Sequence, residues 1–187
     1  MNKCSWVGNN KLIIKYHDKE WGVPLHDDIK LFEFLILEGA QAGLTWQIIL
    51  NKRENYRKAF DYFNAKKIGF YTKKDVRRLL ENPGIVRNRL KIEAAIINAK
   101  KFLEIKKEYG TFDKYIWQFV SNKPIKNKFK SLKEIPATSK ESDAMSKALK
   151  KIGFKFVGST ICYAFMQATG MVNDHSINCF RHNQIKW

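Results

Sequence analysis

Two sets of side chains in this 187-residue sequence have the types and spacing to do chemistry. The first is split between the ends of the chain. Cys4 and His17 lie near one terminus, and His175 and Cys179, four positions apart, lie near the other. An i, i+4 pair presents two donors on one helical face or across a tight loop. Two thiolates with two imidazoles make a donor set suited to tetrahedral zinc. Four protein ligands leave no position for water, so such a metal would be structural rather than hydrolytic, joining residues 1–26 to about 170–187. Asp18 and Asp174 each adjoin a histidine and are candidates to orient the rings. Buried free cysteines and core histidines would account for the same residues without a metal.

The second set surrounds Glu38. This lone carboxylate follows the apolar run "LFEFLIL" and precedes small residues, in "LEGAQAGLTW" at 37–46. Tyr16 and three of the five tryptophans, Trp6, Trp21 and Trp46, fall within the first 46 residues. Aromatic rings with one carboxylate suit a flat, cationic, hydrogen-bonding ligand: the rings stack, cation–π attraction contributes roughly 0.5–2 kcal/mol, and the carboxylate accepts an N–H. The plain alternative is an aromatic core in which Glu38 caps a helix or pairs with a lysine.

The elements that must position these groups read as helices. Apolar density predicts a buried helix from Asp28 to about Gly39, and Thr45 is placed to cap another over 45–60. "TKKD" at 72–75 has the form of a capping box, opening a helix that Pro83–Gly84 ends. A 3.6-residue stripe runs through 88–109 to Gly110, and a short helix is expected at 112–120. Residues 121–140 are polar, lysine-rich and broken by two prolines, and read as a connection. "TSKE" at 138–141 is a second capping box. No strand pattern is sustained, and the class is all-α, organised as one domain.

The stretch "SKALKKIGFKFVGSTICYAFMQATG" at 146–170 predicts a helix ending at Gly153, a tight hairpin, and a new helix opening at Ser159. Glycine at 153 and 158 suits positive φ or close backbone approach. Free amides at the turn and at the next helix start form an anion site, with Lys155 beside it. An ordinary helical hairpin has the same form. The charge favours the anion reading: 35 Lys and Arg stand against 18 Asp and Glu, a formal net charge of +17. Such an excess suits a nucleic-acid partner, although lysine can also simply fill solvated faces. No run approaches the roughly 18 apolar residues of a membrane helix. No secretory leader is visible, and three cysteines are too few for a disulfide scaffold, so a cytoplasmic protein with reduced thiols is expected.

Together, the Cys-x-Trp at 4–6, "YHDKEWGVP", "LEGAQAGLTW", "KRENYRKAF" and the stretch from "SDAMSKALKK" to "GMVNDH", with Cys179, resemble the bacterial 3-methyladenine DNA glycosylase I family over nearly the whole chain. The resemblance implies a helix-hairpin-helix glycosylase fold, with the hairpin element at about 141–170, and a structural zinc on Cys4, His17, His175 and Cys179. It implies a lesion pocket of Glu38, Tyr16 and Trp46 with Trp6 and Trp21 nearby, and monofunctional release of cationic 3-methyladenine from double-stranded DNA by a monomer. Gly43 and Leu44 would form the loop whose leucine fills the gap left by the flipped nucleotide, and Gly153, Lys155, Gly158 and Ser159 would grip the backbone. Many relatives have tyrosine where this chain has Ile13. Superfamily members that expel neutral bases carry an aspartate soon after the hairpin, and here no acid intervenes between Gly158 and Asp174. A DNA-binding module without catalysis leaves Glu38 and its tryptophans unexplained, and a zinc hydrolase is disfavoured by the filled ligand set.

Overall fold

The computed structural model describes residues 2–185. Ten helices form most of it: α1 (Lys11–Lys19), α2 (Asp28–Gln41), α3 (Trp46–Ala59), α4 (Ala65–Gly69), α5 (Lys73–Glu81), α6 (Arg89–Tyr109), α7 (Phe112–Trp117), α8 (Lys140–Ile152), α9 (Ser159–Ala168) and α10 (Arg181–Gln184). Helix α2 is the axis of the fold. Its residues 31–40 are all buried, because α3, α6, α7 and α9 pack around it. A helix hydrophobic on every side is what such a central position requires.

Two carboxylates nevertheless sit on this buried helix. Glu33 is neutralised by two guanidinium groups, from Arg53 at 2.5 Å and Arg57 at 2.9 Å. Among the described residues Glu38 has no such partner, and the site is built around it.

Helix boundaries follow local chemistry. Thr72 and Asp75 form the expected capping box at the start of α5. At α8 the box lies one residue later than the sequence suggested: Ser139 and Ser142 cap each other reciprocally, in place of Thr138 and Glu141. Thr45 is the N-cap of α3 but makes no side-chain capping bond. Helix α1, which carries Tyr16 and His17, was not anticipated; Asn10 caps it by accepting from the amides of Leu12 and Ile13.

The all-α expectation needs one amendment. Residues 125–126 (β1) pair in parallel with Val172–Asn173 (β2), so the stretch read as a simple connection is pinned to the C-terminal part of the chain. Gly170 makes the same kind of closure on the other side. It has φ +70, and a Cβ there would lie 2.2 Å from the Val23 backbone, so only glycine lets these segments meet. The amides of Gly22 and Leu25 donate to the carbonyls of Gln167 and Thr169 at that seam.

Among the described residues no helix is long and apolar enough to cross a membrane, and all three cysteines are free and buried.

Candidate active site and metal centre

The four donors read from the sequence converge. Cys4, His17, His175 and Cys179 are buried, and their ligand atoms all lie within 4.8 Å of one another. Sγ of Cys179 is 3.4 Å from Nε2 of His17 and 3.6 Å from Nδ1 of His175, and Sγ of Cys4 is 3.6 Å from the same Nδ1. A tetrahedron with Zn–S near 2.3 Å and Zn–N near 2.0 Å spaces its donors by roughly 3.3–3.8 Å.

The outer nitrogens of both rings are occupied as well. Nδ1 of His17 lies 2.7 Å from Asp18, and Nε2 of His175 lies 3.0 Å from the carbonyl oxygen of Trp21. Each ring therefore donates outward and turns a lone pair to the centre, which is the arrangement zinc needs. Burial lowers both imidazole pKa values, His175 to about 3, so both rings are neutral. Burial also pushes the Cys4 thiol up to about 11. The donor set fits a structural zinc.

Of the two aspartates expected to orient the rings, only Asp18 does so. Asp174 turns away from His175, and it accepts from Asn127, the Tyr163 hydroxyl and Gln167, at 2.6, 2.7 and 2.8 Å.

The aromatic set converges on a second centre beside the first. Trp6, Tyr16, Trp21, Glu38 and Trp46 line one cleft of about 320 Å³. The rings brace one another: Trp6 meets Trp21 edge-on at 4.9 Å, and Tyr16 lies 5.4 Å from Trp46. Glu38 is 4% exposed and accepts no hydrogen bond from a described residue. Burial alone raises its pKa to about 8. The indole N–H of Trp46 is fully buried and has no hydrogen-bond partner among the described residues. Unpaired polar atoms in a buried wall are costly unless a ligand completes them.

A larger cleft of about 550 Å³ lies on the other side of Tyr16. Its buried Arg53 and half-buried Arg57 are already matched by Glu20, Glu33 and Glu54, and the lysines on its rim are exposed, so its buried charges are paired.

Ile13 does not line the Glu38 cleft. It is buried behind it, in a neighbouring cavity bounded by Trp6, Thr45 and Trp46.

Several lining residues escaped the sequence reading. Thr160, Tyr163, Ala164 and Gln167 of α9 face the cleft, an i, i+3, i+4, i+7 series that marks one side of a helix. That polar and aromatic face on an otherwise apolar helix was the available signal. Leu132, Ile135, Pro136 and Ala137 complete the wall from the stretch read as a connection, and nothing local in their sequence announces it.

Gly43 and Leu44 form an exposed turn directly after α2, with Gly43 at φ +75 and the Leu44 amide donating to Gln41. Helices α8 and α9 pack against each other across residues 153–158. Gly153 ends α8 at φ +108, as anticipated. Gly158 differs: its φ is −64, and the left-handed residue of the hairpin is Phe156, at φ +53. A Cβ at 158 would meet nothing within 4 Å, so the bare backbone there faces open space. Lys155 is exposed and Ser159 opens α9.

Comparison with known proteins agrees with this geometry. The methyladenine glycosylase family model matches residues 6–182. DNA-3-methyladenine glycosylase 1 of Escherichia coli is 50% identical over 179 residues, covering 96% of each chain. A crystal structure of 3-methyladenine DNA glycosylase I superposes with a TM-score of 0.94 at 51% identity, covering 96% of this chain and 98% of that one. The Staphylococcus aureus enzyme, whose structure concerns 3-methyladenine recognition, is 36% identical with a TM-score of 0.93 and covers 96% of each chain. By sequence and by structure, this chain belongs to the methyladenine glycosylase family.

Proposed function

We propose that this protein is a DNA-3-methyladenine glycosylase that flips the cationic alkylated base out of double-stranded DNA and hydrolyses its N-glycosidic bond. The observation that carries the reading is Glu38, a buried and unpartnered carboxylate facing an aromatic-walled cleft of the family's glycosylase fold.

A base inside a duplex is out of reach, so the nucleotide must leave the stack. The rings of Tyr16 and Trp46, with Trp6 and Trp21 beside them, receive it face-on and attract its positive charge. Glu38 accepts N–H groups that adenine presents and 7-methylguanine does not, and the charge of the lesion draws the carboxylate into its ionised form. When the C1′–N9 bond breaks, its electron pair neutralises the purine, and water adds to the sugar carbon and loses a proton to solvent, giving free base and an abasic site. Expulsion of a base that departs neutral lowers the barrier that the protein must supply. This fits the lack of an acid between Gly158 and Asp174. The cleft lining contains no lysine to act as an amine nucleophile, which supports base release without strand cleavage.

Outside the pocket, Leu44 serves as the wedge that takes the vacated space, with Gly43 allowing the turn to enter. The hairpin from Gly153 through Lys155 and Gly158 to Ser159 holds the backbone phosphates, in keeping with the net charge of +17. Cys4, His17, His175 and Cys179 hold a structural zinc that contributes to folding rather than to the reaction. The chain acts as a monomer and as one domain, since a single wedge and a single pocket suffice.

Base release from methylated duplex DNA, resolving 3-methyladenine from 7-methylguanine, tests the reading. Release of 3-methyladenine with little 7-methylguanine is expected. A folded protein that releases neither would leave only a DNA-binding module.

A further inference from the structure

The wedge turn and the hairpin come from distant parts of the sequence, and helix α6 is hydrogen-bonded to both. Nζ of Lys91 donates to the carbonyl oxygens of Ala40 and Ala42, each at 2.7 Å. These carbonyls lie where α2 ends and the Gly43–Leu44 turn begins, a place where helix geometry leaves acceptors unpaired. Seven residues along, Asn98 makes a two-way bond with the hairpin: its amide donates to the Lys155 carbonyl at 2.9 Å, and its oxygen accepts from the Lys155 amide at 2.8 Å. A separation of seven residues puts both side chains on one face of α6, roughly 10 Å apart along its axis.

Between these anchors the last turns of α2, which lead into the wedge turn, touch the hairpin. A Cβ added to Gly39 would sit 3.2 Å from Cβ of Phe156, the hairpin residue held in the left-handed region. The gap left along this seam is only about 10 Å³, lined by Gly39, Ala40, Lys91, Asn98 and Phe156 among others.

We infer that Lys91 and Asn98 are positioning residues that hold the wedge turn and the phosphate-gripping hairpin at a fixed separation, so that one duplex engages both at once. The inference rests on the reading of Leu44 as wedge and of the hairpin as backbone grip. Neither residue lines the Glu38 cleft, so neither touches the base. Their work is to keep the turn from tilting when the stack resists Leu44. Misplacement by about 1 Å far from the chemistry is enough to cost on the order of a hundredfold in rate.

The test compares Lys91→Met, which keeps the stem and loses the N–H donors, with Leu44→Ala and the double variant. Three quantities are read: excision from methylated duplex, excision from methylated single strands, and affinity for free 3-methyladenine by tryptophan fluorescence. Lys91→Met should lower duplex kcat/KM by about tenfold, with single-strand excision and free-base affinity within about twofold of the parent. On the Leu44→Ala background it should add less than about twofold, because both changes act through the same wedge. If circular dichroism shows Lys91→Met unfolded, Asn98→Leu carries the same expectation from the hairpin side. Full effects that multiply in the double variant would overturn the inference, as would losses in free-base affinity that parallel the loss on duplex. A Leu44→Ala protein with unchanged duplex activity would sink the wedge reading, and the inference with it. A parent that binds no free base would instead refute the pocket.

Discussion

Trp21 and His175, 154 residues apart, meet twice: Nε2 of His175 lies 3.0 Å from the Trp21 carbonyl oxygen, and the two rings pack edge-on at 4.6 Å, while Trp21 also lines the Glu38 cleft. The Cys2His2 cluster and the Glu38 cleft thus share a residue, and they share more. Tyr16 immediately precedes His17 in α1, and Trp6 stands two positions after Cys4. The Cys2His2 quartet is therefore the scaffold on which three of the aromatic walls are hung. Stripping zinc from the protein should lower its melting temperature by several degrees or more and weaken free 3-methyladenine binding in parallel, since ligand binding and folding are coupled in such sites. Calorimetry and fluorescence titration, matched to metal content, check this. Unchanged base affinity in a metal-free, folded protein would show that the scaffold stands without the ion.

Glu38 makes stability depend on pH in a definite direction. Its carboxyl has a usual pKa of 4.5 and one of about 8 in the fold, so the folded state holds the proton more tightly than the unfolded state. The destabilisation is absent below about pH 4.5, grows as pH rises, and levels off above about 8. At pH 7 it amounts to an order of 3 kcal/mol. Glu38→Gln removes this dependence. The difference in stability between variant and parent should shift in favour of the variant between pH 5 and 8, by denaturant melts at both values. A flat difference would mean that the carboxyl ionises freely.

The same substitution separates recognition from catalysis. Glutamine keeps an acceptor but cannot become anionic, so affinity for free 3-methyladenine should fall at least tenfold, about the worth of one charge-assisted hydrogen bond. Normal binding with slow excision would assign Glu38 to the bond-breaking step instead.

The hairpin is expected to act on the duplex alone. Gly158 has an ordinary φ of −64 and no neighbour near its missing Cβ, so Gly158→Ala should leave the fold intact while crowding the approach of a phosphate. Lys155→Gln should weaken duplex binding and flatten the slope of log K against log salt by about 0.9, the loss of one phosphate contact. Fluorescence anisotropy at several salt concentrations measures both. An unchanged salt slope would remove Lys155 from the interface.

How far the sequence discloses this site depends on what each residue's local surroundings reveal. The Cys2His2 quartet, Glu38, Trp6, Trp21 and Trp46 were legible because their types are rare and their chemistry specific, and the structure gathers them into two neighbouring clusters. The hairpin was legible through Gly153 and its break in helical periodicity, yet its second residue at positive φ proved to be Phe156 rather than Gly158, packed against Gly39 where no propensity would suggest it. Helix α1 was missed because it is only nine residues long, with a buried face of just Ile13, Tyr16 and His17 and lysines along its exposed side, although Asn10 caps it well. The wall from Leu132 to Ala137 was invisible for a different reason. It is placed by the pairing of β1 with β2 and by the bond from the Ile177 amide to the Phe129 carbonyl, contacts that span more than forty residues.

Asp174 shows how a residue adjoining a metal ligand can belong to the other centre. It is 1% exposed, and it accepts from both Tyr163 and Gln167, two α9 residues that face the cleft. Its third donor, Asn127, follows β1, so the carboxylate ties α9 to the strand pair behind the wall. Asp174→Asn replaces one acceptor oxygen with a donor facing other donors, leaving buried groups unsatisfied at about 1–3 kcal/mol. Affinity for free 3-methyladenine should fall by roughly tenfold as Tyr163 and Gln167 lose their fixed orientations, while zinc content is unchanged because the carboxylate does not touch the His175 ring. Tyr163→Phe removes only one donor from the network and should cost less than Asp174→Asn. Loss of zinc in Asp174→Asn, or base affinity equal to the parent's, would return Asp174 to the metal centre or remove it from both.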